Sequence, residues 1–421
     1  MPFHAPPAEG TAKRWDIVGP QTVPIELGIT RALTDESHAR RLRGKRIGLV
    51  CHEASVDESC RSTVDLFLAR QPELGYRVTA LFSPQHGFWG QDQDNMIETP
   101  HGEWKGVPLY SLYSDTRKPT PAMLEDVDAV VVDLQDVGTR IYTFAYTMSY
   151  VMEAAAELGK EVIVLDRPNP IGGAVVQGTL LDPAYRSFVG LYPMPTRPGL
   201  TMCEMARWMN ERHRLNIGRS CALHVVPMTG WDRRAYWDAL GLVFVMPSPN
   251  MPTADTALTF PCFVYFEGTN VSEGRGTTRP LEQCAAPFID PEALLAHLDR
   301  EYPAWHEGAY VRPTGFQPGF QKHAGRLCLG VFVHPVDRGT FNPVRTGLAL
   351  LRGIVALYPG QFQWKQPPYE YETERLPIDV IAGGPWVREW AEGRHRWSAY
   401  EEKERTDAAE FERERRGYLL Y

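Results

Sequence analysis

The chain has 421 residues, 43% of them apolar and 23% charged, and a net charge of -8. That length is more than one hydrophobic core usually serves, so two domains are expected. The negative balance excludes a general nucleic-acid binder, which needs a basic face, and no segment approaches the roughly 18 apolar residues of a membrane span. The N-terminus, Met1 to Pro7, lacks the apolar core of a signal peptide. The seven cysteines are scattered, mostly within apolar runs, and form no Cys-x-x-Cys pair. They read as buried thiols in a reducing cytoplasm rather than a zinc site or disulfide framework.

In chain order, the Arg-rich stretch 40–46 reads as a solvated helix end, and Arg46 to Val50 as the first strand. A helix over 63–70 and a strand over 78–82 follow. Residues 128–134 form a third strand, 142–158 a long helix and 161–165 a fourth strand. A helix near 201–213 and a strand at 223–227 come next, then short apolar runs at 242–246 and 262–266, the latter read as a buried strand. Continuous apolar strands alternating with helices predict a Rossmann-like, doubly wound α/β fold with a mainly parallel sheet covered on both faces. Residues 290–421 carry a second pattern: helix 291–302, an extended piece at 310–313, strand 327–333, helix 344–357 and a charged helix 399–416. The expected division is a catalytic domain over 1–289, with an N-terminal extension over 1–25, and a smaller α+β domain over 290–421.

The polar motifs follow the strands. The second leads into Ser83-Pro84-Gln85-His86-Gly87-Phe88-Trp89, the third into Gln135-Asp136-Val137-Gly138-Thr139-Arg140, and the fourth into Asp166-Arg167-Pro168-Asn169-Pro170. The run at Met246 leads into Pro247-Ser248-Pro249-Asn250, and the run at 262–266 into the stretch from Glu267 to Pro280. That last stretch holds two carboxylates, two guanidiniums, an amide, four hydroxyls and three glycines, a density of recognition groups that marks a binding or catalytic loop. Ligands of parallel sheets bind at the carboxyl ends of the strands, so these loops are expected to share one site. Individual residues keep two readings. His86 either bonds backbone or serves the site, and Asp136 either caps or serves it. Arg140 either starts a helix or meets an anion. Asp166 and Arg167 either pair internally or face a ligand, whereas Asn250 is the polar contact of its proline-shaped loop. The first strand is followed by no glycine, which disfavours a dinucleotide fold; no phosphate loop, Gly-x-Ser-x-Gly elbow or His-Glu-x-x-His motif occurs. No cofactor and no metal are expected.

These motifs, with Ser187-Phe188-Val189-Gly190 and Pro377-Ile378-Asp379, make the chain resemble the DUF1343 family, which includes the NamZ exo-β-N-acetylmuramidases. The resemblance implies a catalytic domain and a smaller auxiliary domain with a cleft between them, and removal of terminal N-acetylmuramic acid from a small carbohydrate or muropeptide. Such hydrolysis uses a proton donor and a second carboxylate; Glu273, Glu267, His86 and Asp136 are the catalytic candidates. Arg140, Arg275 or Arg279 would clamp the lactyl carboxylate, and Trp89 would stack on a sugar, while Asn169, Asn250 and Asn270 add amide contacts. Gln85 stands where the family usually has glutamate, and Arg197-Pro198-Gly199-Leu200-Thr201 also departs from its pattern. A carboxamide does not shuttle protons at neutral pH. Either a nearby carboxylate (Asp92, Glu98, Asp136, Glu267 or Glu273) takes the role, or the substrate differs, or the protein binds sugar without cleaving it. A different hydrolase using His86 and Asp136, with or without a metal, is a further alternative.

Overall fold

The computed structural model describes residues 23–94 and 96–421; the expectations for 1–22 lie outside the described residues. Ten strands run in chain order: β1 Arg46–Val50, β2 Arg77–Ser83, β3 Gly102–Trp104, β4 Val107–Ser111, β5 Ala129–Val132, β6 Glu161–Leu165, β7 Ala222–Val226, β8 Gln283–Ala286, β9 Ala309–Phe316 and β10 Cys328–Pro335. The first seven form one sheet in the order β3-β4-β2-β1-β5-β6-β7, parallel except for the β3–β4 hairpin. The chain moves outward from β1 to β2 and later crosses to β5, so the switch in strand order falls between β1 and β5. The short β3–β4 pair was absent from the sequence reading, because its half-exposed residues carry little apolar signal.

Alternation along the strands builds two cores. Ile47, Leu49, Val131 and Ile163 pack on one face of the sheet; Val50, Val130, Val132 and Val164 pack on the other. The second core continues through helix Phe144–Leu158 into residues of the C-terminal part such as Val331, Leu348 and Ile354. There β8, β10 and β9 form an antiparallel sheet. Helix Pro343–Leu357 packs on helix Ala254–Phe263, with Gly347 so close that a Cβ would meet the Cys262 carbonyl at 2.0 Å. This sheet takes β8 from residues 283–286, ahead of the division expected after 289.

The strand expected at 262–266 is absent, and the apolar run at 242–246 forms no strand. Residues 254–263 form a helix capped by Thr253, whose side chain accepts from the Thr256 N–H at 3.1 Å, and the chain continues as a 3-10 turn over Val264–Gly268. A run buried on all sides has no periodicity that separates helix from strand, and the Thr253 cap decided for helix. Residues 242–246 are irregular; Val243 and Met246 are exposed, and prolines 247, 249 and 252 supply no N–H to extend a ladder. Helix Met202–Arg207 opens with a capping box between Thr201 and Glu204 and runs into a π turn over Trp208–Arg212. Among the described residues no helix is long and apolar enough to cross a membrane.

Candidate active site

A narrow polar pocket with about 40 Å³ of room for solvent lies between the carboxyl edge of the large sheet and the C-terminal part. β2 delivers Gln85 and His86 to it, with His86 and Gly87 at φ 73° and 80° to make the turn. The loop 247–253 adds Ser248, Asn250 and Met251, and the stretch after the 3-10 turn adds Glu267 and Arg275. Tyr369 and Glu370 reach in from the C-terminal part. Glu370 and Tyr371 both hold left-handed backbone, at φ 46° and 67°, a conformation unfavourable for non-glycine residues that clusters at functional sites.

Glu370 is the carboxylate that meets Gln85. The Gln85 carbonyl accepts from the Thr143 hydroxyl at 2.7 Å, which turns its amide so that Nε2 donates to Glu370 Oε1 at 3.1 Å. The Tyr113 hydroxyl donates to Oε2 at 2.8 Å. Burial pushes the Glu370 carboxyl up to about 7; the Tyr113 and Gln85 bonds draw it down, and the Glu267 charge pushes it up again. Glu267, which lines the same pocket, accepts from Arg275 Nη2 at 2.5 Å and from the Tyr369 hydroxyl at 2.8 Å. Burial alone would raise Glu267, but the Arg275 guanidinium, the Tyr369 bond and Lys322 more than offset it and hold the carboxyl below its usual range. One pocket thus holds two buried carboxyls displaced in opposite directions.

Behind them lies an ion network. Glu273 accepts from Lys322 Nζ at 2.7 Å and lies 3.2 Å from Arg275 Nε. Lys322 also donates to the Phe266 and Val271 carbonyls at 2.7 and 3.1 Å. Arg275 Nη1 is buried with no hydrogen-bond partner in the protein. Burial lowers the His86 imidazole to about 4, so the ring is neutral at neutral pH. Its Nδ1 lies 2.7 Å from the Asp92 carbonyl. A carbonyl only accepts, so the proton is on Nδ1 and Nε2 is left as an acceptor.

Of the residues singled out from sequence, Gln85, His86, Asn250, Glu267 and Arg275 line this pocket, with Asn250 donating to the Gln93 carbonyl at 2.6 Å. Glu273 stands one layer back. Asp136 is buried, takes the Gly138 N–H at 2.7 Å on Oδ1, and leaves Oδ2 without a partner; burial raises it to about 7. Asp136 is not part of the pocket wall. Arg140 is buried against the Ile381 carbonyl at 2.9 Å, and the exposed Arg279 pairs with buried Glu282, Nε to Oε2 being 2.8 Å. Arg167 is held bidentate by Asp133 at 2.5 and 2.8 Å. Asp166 accepts from Thr201, the Cys203 N–H and the Tyr421 hydroxyl. Asn169 ties the Leu200 carbonyl to the Ile171 N–H, and Asn270 ties down residues 361 and 363. Trp89 is half-exposed, edge-on to Phe88 and Trp104. The fourth strand's loop therefore shapes the chain rather than the pocket. Glu370, Tyr369, Tyr113 and Lys322 were missed; the only sequence signal was the alternation Tyr369-Glu370-Tyr371-Glu372 after two prolines. Among the described residues no group of three or more His, Cys, Asp or Glu side chains is arranged to hold a metal ion.

A doubly wound α/β domain joined to a small antiparallel domain, with two opposed carboxyls in the cleft between them, has the architecture and site of a carboxylate-dependent hydrolase. Family models described as "Exo-beta-N-acetylmuramidase NamZ, N-terminal" and "C-terminal" match residues 47–255 and 258–421. The chain belongs to the NamZ family. It is 41% identical over 399 residues to the peptidoglycan beta-N-acetylmuramidase NamZ of Bacillus subtilis (strain 168), covering 94% of this chain and 91% of that one. Two crystal structures of DUF1343 family proteins from Bacteroides fragilis NCTC 9343 superpose with TM-scores of 0.82 and 0.71. They are 33% and 26% identical, each covering 95% of this chain and 99% of the other.

Proposed function

We propose that the protein is an exo-acting glycoside hydrolase that removes terminal N-acetylmuramic acid from peptidoglycan fragments, with Glu370 as proton donor and Glu267 as the ionised partner. The observation that carries this reading is the opposed displacement of the two carboxyls, Glu370 up to about 7 and Glu267 downward. Paired carboxyls tuned apart divide acid and base roles between them. Protonated Glu370 gives its proton to the glycosidic oxygen as the bond from C1 breaks, and the leaving sugar departs as an alcohol. Glu267 supplies negative charge to the oxocarbenium-like centre at C1. Water then adds its hydroxyl to C1, and its remaining proton replaces the one Glu370 gave. Arg275 Nη1, buried and unpartnered in the protein, is the donor assigned to the lactyl carboxylate, since neither Arg140 nor Arg279 lines the pocket. In this scheme Gln85 orients the acid, so its lack of a carboxylate does not make the site silent. A cytoplasmic setting suits the buried free thiols at Cys51, Cys203, Cys221, Cys262, Cys284 and Cys328.

The test compares para-nitrophenyl glycosides of N-acetylmuramic acid and N-acetylglucosamine, which differ only in the lactyl group. Turnover of the first well above the second, and above a Glu267→Gln control, is expected. Absence of turnover on both by the wild-type chain refutes the proposal.

A further inference from the structure

Glu370 is a wall between two cavities. A second cavity, of about 450 Å³, also counts Glu370, but not Glu267, among its lining residues. Its other walls include Arg117, Lys118, Tyr150, Phe188 and Tyr371. The Tyr150 and Phe188 rings lie parallel within 4°, with centroids 6.1 Å apart. Phe188 in turn stacks on Tyr113, which donates to Glu370. The Arg117 guanidinium sits 3.3 Å above the Tyr371 ring and 5.5 Å from that of Tyr113, so two aromatic faces fix its plane. Yet its Nε and Nη2 are buried and bond nothing in the protein. The other charges at this cavity are engaged. Lys118 pairs with Glu157 at 2.7 Å and Glu153 at 3.5 Å, Glu372 with Arg375 at 3.4 Å, and Asp115 lies 3.9 Å from His101.

A proton donor to a glycosidic oxygen touches the atom that joins the departing sugar to the rest of the chain. The terminal sugar then lies on one side of the donor and the leaving group on the other. We propose that the second cavity is the leaving-group subsite and that Arg117 reads a carboxylate on the leaving group. This rests on the reading of Glu370 as proton donor. A guanidinium held flat with two adjacent N–H donors open matches a carboxylate edge, and leaving such donors buried and unbonded is unfavourable. Tyr371, 37% exposed, offers ring surface against which a sugar or aryl ring packs. The ligand class is therefore an anionic leaving group, such as a glycan fragment bearing a carboxylate.

The experiment uses two N-acetylmuramides whose leaving groups are umbelliferones, one methylated and one carrying an acetic acid arm at the same carbon. The methylene insulates the carboxylate, so the two leaving oxygens have similar basicity. Arg117→Ala is expected to lower kcat/KM on the acid-bearing substrate about tenfold, mainly through KM, and by less than about twofold on the neutral one. The preference should shrink as ionic strength rises, and Arg117→Lys should recover part of it. Arg117→Gln, which keeps a planar group over Tyr371, replaces alanine if the melting temperature falls. Equal losses on both substrates, or no loss on either, overturn the subsite assignment and leave the glycosidase reading standing. A wild-type protein that cleaves neither substrate overturns both.

Discussion

Glu370→Gln separates the two properties that the pocket imposes on one carboxyl. The substitution keeps the shape: the new carbonyl can accept from Gln85 Nε2, and the new amide can donate to the Tyr113 oxygen. It removes the proton donor, which should lower kcat/KM by about 10²- to 10⁴-fold. The loss should be smaller for a nitrophenyl glycoside, whose leaving oxygen needs little help, than for a sugar leaving group. Wild-type activity should fall as pH rises through about 7, where Glu370 ionises, and this alkaline limb should vanish in the variant. The stability consequence has the same origin. Folding raises Glu370 from 4.5 to about 7, so the folded state holds the proton more tightly than the unfolded chain. That stabilisation is complete below pH 4.5 and is lost as pH rises through 7. At about 1.4 kcal/mol per pH unit, wild type loses about 3 kcal/mol by pH 8 that Glu370→Gln does not lose. Urea denaturation at pH 4 and pH 8 measures it: the variant's relative stability should be higher at pH 8 by that amount. A difference independent of pH, or an alkaline limb that survives in the variant, would refute the reasoning.

Glu267→Gln removes the anion that balances buried Arg275; activity should fall at least about 10³-fold and stability by about 3–5 kcal/mol, read by kinetics and denaturation. Glu273→Gln should instead keep activity within about tenfold while the melting temperature falls, because Glu273 anchors Lys322 and Arg275 from behind; a loss equal to that of Glu267→Gln with unchanged melting would make Glu273 the catalyst. Gln85→Glu places a second carboxylate against Glu370, so the alkaline limb of the pH–rate profile should move above 7; an unmoved limb would show that Gln85 does not govern the donor.

Most of the scaffold was legible in the chain. β1, β5 and β6 are short apolar runs bounded by polar loops, and helix Phe144–Leu158 ends at Gly159, whose φ of 66° is the left-handed turn such an end favours. These are local signals and survive without knowledge of the fold. The run 262–266 was misread because a helix buried on every side looks like a buried strand. Loops after the strands were expected to share one site, and Gln85, His86, Asn250, Glu267 and Arg275 line one pocket. Asp166, Arg167 and Asn169 follow a strand as well, yet bond to the protein itself, since a polar motif carries no sign of which way it faces.

The sequence by itself determined the fold class, the family and the edge of the sheet that carries the pocket, because the alternation of strands with helices and the loop chemistry are written in contiguous residues. The tertiary structure alone brought Glu370, the proposed proton donor, to Gln85. Glu370 lies 285 positions from Gln85, in the C-terminal part, and nothing local raises its pKa. Burial between two parts of the chain and the charge of Glu267 do so, and both exist only once those parts have packed together.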